Sequence, residues 1–422
     1  MAKRIILFIA SFIVLIPGFA SENKILEVKL PEYVQKKLTV LKNSPIFESV
    51  NFKVAKNGYK TIMLTGLIEE NNLKDINEYP IKLWKNKKDI FCNINNRNYF
   101  VISQLMFFDN NNRLIAKRFI PYNISIDLID SPKKPILVIM KTINHGNYHE
   151  KIGFDIYDLK GNLLKTIKSG YEDEIVPSID SNFICYKEYN TNGFAAQFTI
   201  ENVEDFVNNN TNKVRKSELY VKKYTVKFHN RSPSHFLLLG GHSVDIITVF
   251  DGRISRKSLK NKENIWKINH IGENVLKIAY NKKAQTLNAL LINHQHVIID
   301  AITGSVLTTF NPKNIPFVKD YYKTYNIDFQ ELTFYNNKLK ITMISPEYTL
   351  IKIHINNWDS KNSKKTIKIT KYQPRYKNLS RKVIEKTDNG YYILSVSDSK
   401  AVLSFLKEDD LFKKTIETIE IK

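Results

Sequence analysis

Short apolar runs alternate with polar turns along almost the whole chain, and one stretch shows the unit plainly. His296 to Phe310 (HVIIDAITGSVLTTF) is an apolar strand ending at Asp300, a turn carrying Thr303 and Gly304, and a second strand restarting at Val306. An Asp at a strand end accepts backbone hydrogen bonds from just ahead of it, Gly supplies a positive φ, and β-branched residues restart the pleat. That order predicts a hairpin.

The same device returns at Phe107 to Lys117 (FFDNNNRLIAK), Ile156 to Lys165 (IYDLKGNLLK) and Val249 to Ile254 (VFDGRI), with strands restarting at Leu114, Leu163 and Ile254. Asp109 and Asp158 are 49 residues apart, Asp158 and Asp251 are 93 apart, and Asp251 and Asp300 are again 49 apart, which predicts a period of about 47 with one copy between. Weaker copies fill the gaps. The strand GFAAQFTIE ends at Glu201, polar residues run through Lys216, and a strand restarts at Leu219; TLIKIHI ends at Ile355 and TIKIT resumes after NNWDSKNSKK. A last copy, Val402 to Ile416, sets Phe405 where Tyr157 stands and Leu411 where Leu163 stands.

Upstream of each hairpin there is usually another pair of short strands, as in FLLLGGHSVDIITVFDG, LNALLINHQHVIID and YYILSVSDSKAVLSF. Four strands in every 45 to 50 or so residues predict the blades of a β-propeller, and one blade cannot bury its own apolar faces, so the ring must close. The expected fold is all-β: a single propeller of about seven four-stranded blades over residues 73–422, with six or eight left open. Residues 21–72 are expected to be an irregular N-terminal segment that caps the ring or closes it. It carries a short helix over Pro31 to Leu41 and strand-like runs at Ile25 to Leu30 and Lys60 to Ile68.

Asp300-Ala301-Ile302-Thr303-Gly304-Ser305-Val306-Leu307 resembles the Asp-Ala-x-Thr-Gly string that joins the outer two strands in quinoprotein-like and WD40-like propeller repeats. Only this copy carries the whole string, and Thr308 stands where those repeats often place Trp. The resemblance implies the fold and leaves activity open, because such propellers include both enzymes and scaffolds.

Composition changes the picture in two places. Met1 to Ala20 has Lys3 and Arg4 ahead of an apolar run from Ile5 to Ile16, then Pro17-Gly18 and a small residue at Ala20. This predicts a signal peptide cleaved after Ala20, since the run is shorter than the ~20 residues of a spanning helix. No Cys follows for a lipid anchor, and no later stretch predicts a membrane span, so the mature chain is expected in the periplasm or the medium. The formal charge of +22, which becomes +20 when Lys3 and Arg4 leave, favours anionic partners. Lys, Asn, Ile, Tyr and Phe are abundant together and form no basic block, which mutational bias toward AT-rich codons explains as well. Export makes nucleic acid an improbable partner.

The search for chemistry yields no phosphate-cradling Gly loop, no Gly-x-Ser-x-Gly elbow, no His-Glu-x-x-His and no Cys-x-x-Cys. His145 and His149 beside Glu150 could ligate a metal but read better as a hairpin tip. His294 and His296 would share a face of a strand, but Asn293 to Gln295 reads better as the turn itself, and His242 with Asp245 could form an acid-base pair or simply a turn. Asp109, Asp158, Asp251 and Asp300 repeat at like positions, which points to turn-building, because an active site needs unlike environments to separate acid from base. Trp84, Trp266 and Trp358 are expected between blades, and the Asn-x-Ser/Thr triplets at Asn123, Asn209, Asn230 and Asn378 arise by chance in an Asn-rich chain. Cys92 and Cys185 are 93 residues apart, which places them on equivalent strands two blades apart and predicts two free thiols. No catalytic, cofactor-binding or metal residue is assigned. The expectation is an exported, non-enzymatic binding or scaffold protein for a protein partner or an anionic envelope or host component. The alternative is a propeller enzyme, a glycan hydrolase or lyase or a quinone-cofactor oxidoreductase, with its site at the channel mouth.

Overall fold

The computed structural model describes residues 23–40, 49–69, 91–94, 97–144, 149–168, 174–189, 195–208, 224–227, 233–271, 274–311, 328–335, 338–344, 350–358, 365–372, 381–387, 389–397, 399–407 and 417–421. They form a seven-bladed β-propeller of antiparallel sheets with two short helices. The segment Met1 to Ala20 lies outside the described residues, and among those described no helix is long and apolar enough to cross a membrane.

The chain opens with β1 (Asn23–Lys29) and α1 (Glu32–Val40), which starts directly after Pro31. Sheet I contains β2 (Val50–Val54), β3 (Lys60–Glu69), β4 (Phe91–Ile94), β5 (Arg97–Phe108) and β6 (Leu114–Ile120); β4 and β6 share one edge of the long β5. Sheet II is β7 (Asn123–Ile129), β8 (Ile136–Asn144), β9 (His149–Asp158) and β10 (Leu163–Lys168). Sheet III is β11 (Glu174–Pro177), β12 (Phe183–Tyr189), β13 (Ala195–Asn202) and β14 (Tyr224–Lys227), with α2 (Val203–Asn208) following β13. Sheets IV and V are meanders of four, β15 (His235–Gly240), β16 (Asp245–Phe250), β17 (Arg253–Ser258) and β18 (Glu263–Ile268), then β19 (Val275–Asn281), β20 (Thr286–Leu291), β21 (His296–Asp300) and β22 (Val306–Phe310). Sheet VI is β23 (Asp328–Tyr335), β24 (Lys338–Ile344), β25 (Leu350–Asn356) and β26 (Lys365–Tyr372). Sheet VII takes β27 (Arg381–Thr387), β28 (Gly390–Val396) and β29 (Lys400–Lys407) from the end of the chain and β1 from its beginning.

Apolar faces of neighbouring sheets supply the core, and the contacts run all the way round. Met63, Leu105 and Phe107 of sheet I meet Ile124, Ile126 and Tyr157 of sheet II; Ile156 and Phe154 of sheet II meet Ile184 of sheet III and Phe206 of α2. Cys185 and Phe198 continue to Phe236 of sheet IV, whose Ile247 and Trp266 meet Leu287 and Val297 of sheet V. Phe310 of sheet V lies edge-on to Trp358 beyond β25, and the Lys352 ammonium of sheet VI stands 5.5 Å from the Tyr391 ring of sheet VII. Val396 and Leu403 of sheet VII then meet Phe52 and Ile62 of sheet I. Because each sheet buries its faces only against its two neighbours, the last join must be made as well as the others.

Both chain ends serve that join. β1 pairs with β29 from Asn23↔Phe405 to Lys29↔Lys400 and so becomes the outer strand of sheet VII. α1 then lies across the seam, with Tyr33, Val34 and Leu38 buried among residues of sheets I and VII. Gly66 of β3 admits it: a Cβ there would come within 2.2 Å of the Tyr33 ring. At the other end, β30 (Glu417–Ile421) pairs with β26 as a fifth strand of sheet VI.

Three expectations are corrected. Asp251 is not equivalent to Asp109, Asp158 and Asp300, for its turn joins the second and third strands of sheet IV, whereas theirs join the third and fourth of sheets I, II and V. An Asp-Gly pair suits a two-residue turn anywhere in a meander, so the spacing of 49 misleads at that step. First strands are in fact 40 residues apart from His235 to Val275 and 73 apart from Val50 to Asn123. The seventh copy is not a hairpin, because β29 finds its outer partner in β1 and the next described strand, β30, goes to sheet VI; Leu411 lies outside the described residues. Cys92 and Cys185 do not occupy equivalent strands: Cys92 is on β4, an extra strand of sheet I, and Cys185 on β12, the second strand of sheet III. Cys185 is free and buried, and burial pushes its thiol up to about 12.

Candidate functional site

The repeated carboxylates are occupied by turns. Asp109 accepts from the amides of Asn111 and Arg113 at 2.9 and 2.8 Å, and Asp158 from those of Lys160 and Asn162 at the same distances. Asp300 accepts from Ile302 and Thr303 at 2.8 Å, and these hydrogen bonds, that from Thr303 foremost, hold its carboxyl below the usual range. Asp180, which sequence reasoning missed, belongs with them. It accepts from the Ser178 hydroxyl and the Asn182 amide, and from the Gly241 amide of sheet IV at 2.8 Å. Burial works against its ionised form, yet these bonds together pull its pKa down. The string Ser178-Ile179-Asp180-Ser181-Asn182 was the available signal.

The corners also tie blades together. The Ala301 carbonyl accepts from Trp266 Nε1 at 2.9 Å and from the Arg256 guanidinium at 2.6 Å, both from sheet IV. An aromatic ring thus meets this corner from the preceding blade. At the corresponding corner of sheet II, Arg118 of sheet I donates to the Gly161 carbonyl at 2.8 Å.

Among the described residues the histidines do not converge. His242 is exposed in a turn, and Asp245 bonds Arg256 instead, with Nε to Oδ2 at 2.9 Å. His294 sits in the turn at φ +66°. His296 is buried, its Nδ1 3.2 Å from Asn288 Oδ1 and its ring stacked on Phe310 at 4.8 Å; burial first, then His294, pulls its pKa down to about 4. His145 and Trp84 lie outside the described residues, as does the His149 side chain. Among the described residues no three His, Cys, Asp or Glu side chains are placed to hold a metal ion.

Among the described ionisable side chains that are not spent on turns, one group draws on three blades. It forms where the first strands of sheets VII, I and II come together. β7 buries Ile124 and Ile126 on one face and carries Asn123, Ser125 and Asp127 on the other; β2 likewise buries Val50 and Phe52 and leaves Asn51 and Lys53 less covered. Alternation thus sets Lys53 opposite Val50 and Phe52, and Asp127 opposite Ile124 and Ile126. From β27 comes Glu385, whose Oε1 is 3.6 Å from Lys53 Nζ, an ion pair too long for a hydrogen bond. Glu385 stands opposite Tyr392 of β28, whose ring lies 4.8 Å from that of Phe405.

Burial raises the Glu385 carboxyl, Lys53 pulls it back, and Asp127 pushes it up again. Asp127 reaches solvent, yet the surrounding sheets exclude enough water to raise its carboxyl too, against the pull of Lys53. The Tyr392 hydroxyl is raised by burial and by Glu385. Two acids and one ammonium from three neighbouring blades thus share one electrostatic environment. Nothing in the sequence marks it, for the three lie at positions 53, 127 and 385 in unremarkable strands. No family model matches the chain, and a search of curated proteins finds no significant match.

Proposed function

We propose that this protein is an exported, non-enzymatic β-propeller that binds a protein partner or an anionic envelope or host component through the end of its ring. One observation supports the reading above others. The carboxylates repeated at the corners of sheets I, II and V are consumed by turns, while Lys53 and Glu385, with Asp127 in the same electrostatic environment, come from three separate blades. Kinship with quinoprotein-like and WD40-like repeats, export and cleavage after Ala20 are parts of the same proposal. The test is capture by the mature chain from its own envelope fraction or medium. A partner retained at ~50 mM salt and weakened at 200 mM supports an electrostatic surface. Failure to retain any component above a control propeller removes the reading.

The axial acids favour a second reading, a glycan-acting hydrolase. Such enzymes need one carboxyl with a raised pKa and a second close by. Release of reducing ends from a polysaccharide panel, abolished in Glu385→Gln, would establish it; no turnover with any panel member excludes it for those substrates.

A further inference from the structure

The join between sheets VI and VII buries polar side chains. On sheet VII, Leu394, Val396, Ala401 and Leu403 pack toward sheet I, so alternation turns Tyr391 and Ser395 of β28 and Ser404 of β29 to sheet VI. From sheet VI, Lys352 of β25 reaches over the Tyr391 ring with its Nζ 5.5 Å from the centroid, and Thr342 of β24 stands opposite Lys352 on the same face. Lys352 is 5% exposed and both serines are 0% exposed. Ser404 pairs with Ile393, which places it diagonally between Tyr391 and Ser395. Diagonal neighbours lie about 7 to 8 Å apart, close enough for one small group to touch both. Among the described residues neither serine hydroxyl has a hydrogen-bond partner. A buried hydroxyl in that state has given up the water it bonded in the unfolded chain, so two on one face point to a ligand that accepts from both.

We propose that Lys352, Ser395 and Ser404 form an anion site between sheets VI and VII that holds a halide such as chloride. The ammonium and both hydroxyls can donate, and donors beside a buried positive charge favour an acceptor with a negative charge, since charge-assisted bonds are about twice as strong as neutral ones. Enclosure between two sheets selects a monatomic, singly charged ion, because stripping water from a divalent oxyanion costs far more. The halide links β25 to β28 and β29 and makes this join between blades depend on the anion present. The site is independent of whatever the ring binds as a partner.

The experiment follows thermal unfolding of the mature chain in sodium chloride, bromide or gluconate at constant ionic strength, with anomalous diffraction from crystals grown in bromide. The unfolding midpoint should rise with either halide relative to gluconate, and a bromide peak should lie among Lys352 Nζ and the two serine Oγ atoms. Ser404→Ala should raise the half-saturating halide concentration at least about tenfold, the loss of one hydrogen bond to a charge, and Ser395→Ala should act in the same direction. Lys352→Met should abolish the halide effect; where it fails to fold, the two serine variants, each smaller by one atom, still decide the matter. The proposal is overturned if halide and gluconate give the same midpoint, or if no bromide peak lies at the site. It is overturned equally if Ser404→Ala shifts the midpoint by the same amount with and without halide, which marks a buried hydroxyl that takes no ligand.

Discussion

At the scale of single residues, Asp300 and Gly304 build a corner and His296 lies buried behind it. Asp300→Ala removes two short hydrogen bonds donated by backbone amides in a largely exposed turn and should cost roughly 1 kcal/mol in chemical denaturation, with partner capture unchanged. Gly304→Ala should cost more, roughly 1 to 3 kcal/mol, because φ is +77° and the new Cβ would come within 2.8 Å of the Trp266 ring. If the two variants unfold at the same denaturant concentration, the corner is not packed as described. His296 makes stability depend on pH. Its imidazole stays neutral in the folded chain down to about pH 4, while the unfolded chain takes up the proton near 6.5, so this contribution is whole above 6.5 and lost as pH falls toward 4. The loss is at most roughly 3 kcal/mol. Asp127 and Glu385 act in the opposite sense, since raised carboxyls hold their protons more tightly when folded and gain stability from acid. The discriminating measurement compares His296→Gln with wild type between pH 7 and 4.5: wild type should lose more, and parallel curves would refute the assignment. The turn residues were legible because Asp and Gly act locally on their own backbone. Lys53, Asp127 and Glu385 were not, because their only relation is through a ring that must first close.

At the scale of elements, the two chain ends make contrasting predictions. β1 completes sheet VII and leads Val28 and Leu30 into the seam core, where Leu30 is 1% exposed. Deleting residues 23–29 should strip hydrogen-exchange protection from β29 amides and destabilise the whole chain, and Leu30→Ala alone should cost about 2 to 5 kcal/mol. β30, by contrast, is added to a sheet that already has four strands. Deleting residues 417–422 should expose β26 amides to exchange while leaving β24 and β25 protected; loss of protection across sheet VI would show that the fifth strand is integral. Apolar runs bounded by polar turns announced most of these strands. What the pattern could not supply was pairing: Lys365-Thr366-Ile367 meets Ile419-Glu420-Ile421, from beyond the next sheet, and nothing local records a crossover. The helix Val203–Asn208 was missed although Val203, Phe206 and Val207 stand at i, i+3 and i+4, because six residues are too few to hold a helix until those three lie against sheet II.

At the scale of the whole molecule, the decisive fact is that side-chain contacts run from sheet I through sheet VII and back, apolar at most joins and cation-on-ring between sheets VI and VII. An open array of blades would unfold in steps, since each blade needs only its neighbours, whereas a closed ring has no free end from which to fray. Cys185 offers a probe in sheet III, across the ring from both chain ends. Buried, and with its thiol pushed up to about 12, it should resist disulfide reagents until the sheet opens. In a Cys92→Ser background, labelling of Cys185 and loss of far-ultraviolet circular dichroism should follow one denaturant curve for the full chain. Without residues 23–29 the two should separate, because the seam would become a free end while sheet III kept both of its neighbours. Coincident curves in the truncated chain would mean that β1 is dispensable to closure and that α1 and the apolar seam alone hold sheets VII and I together.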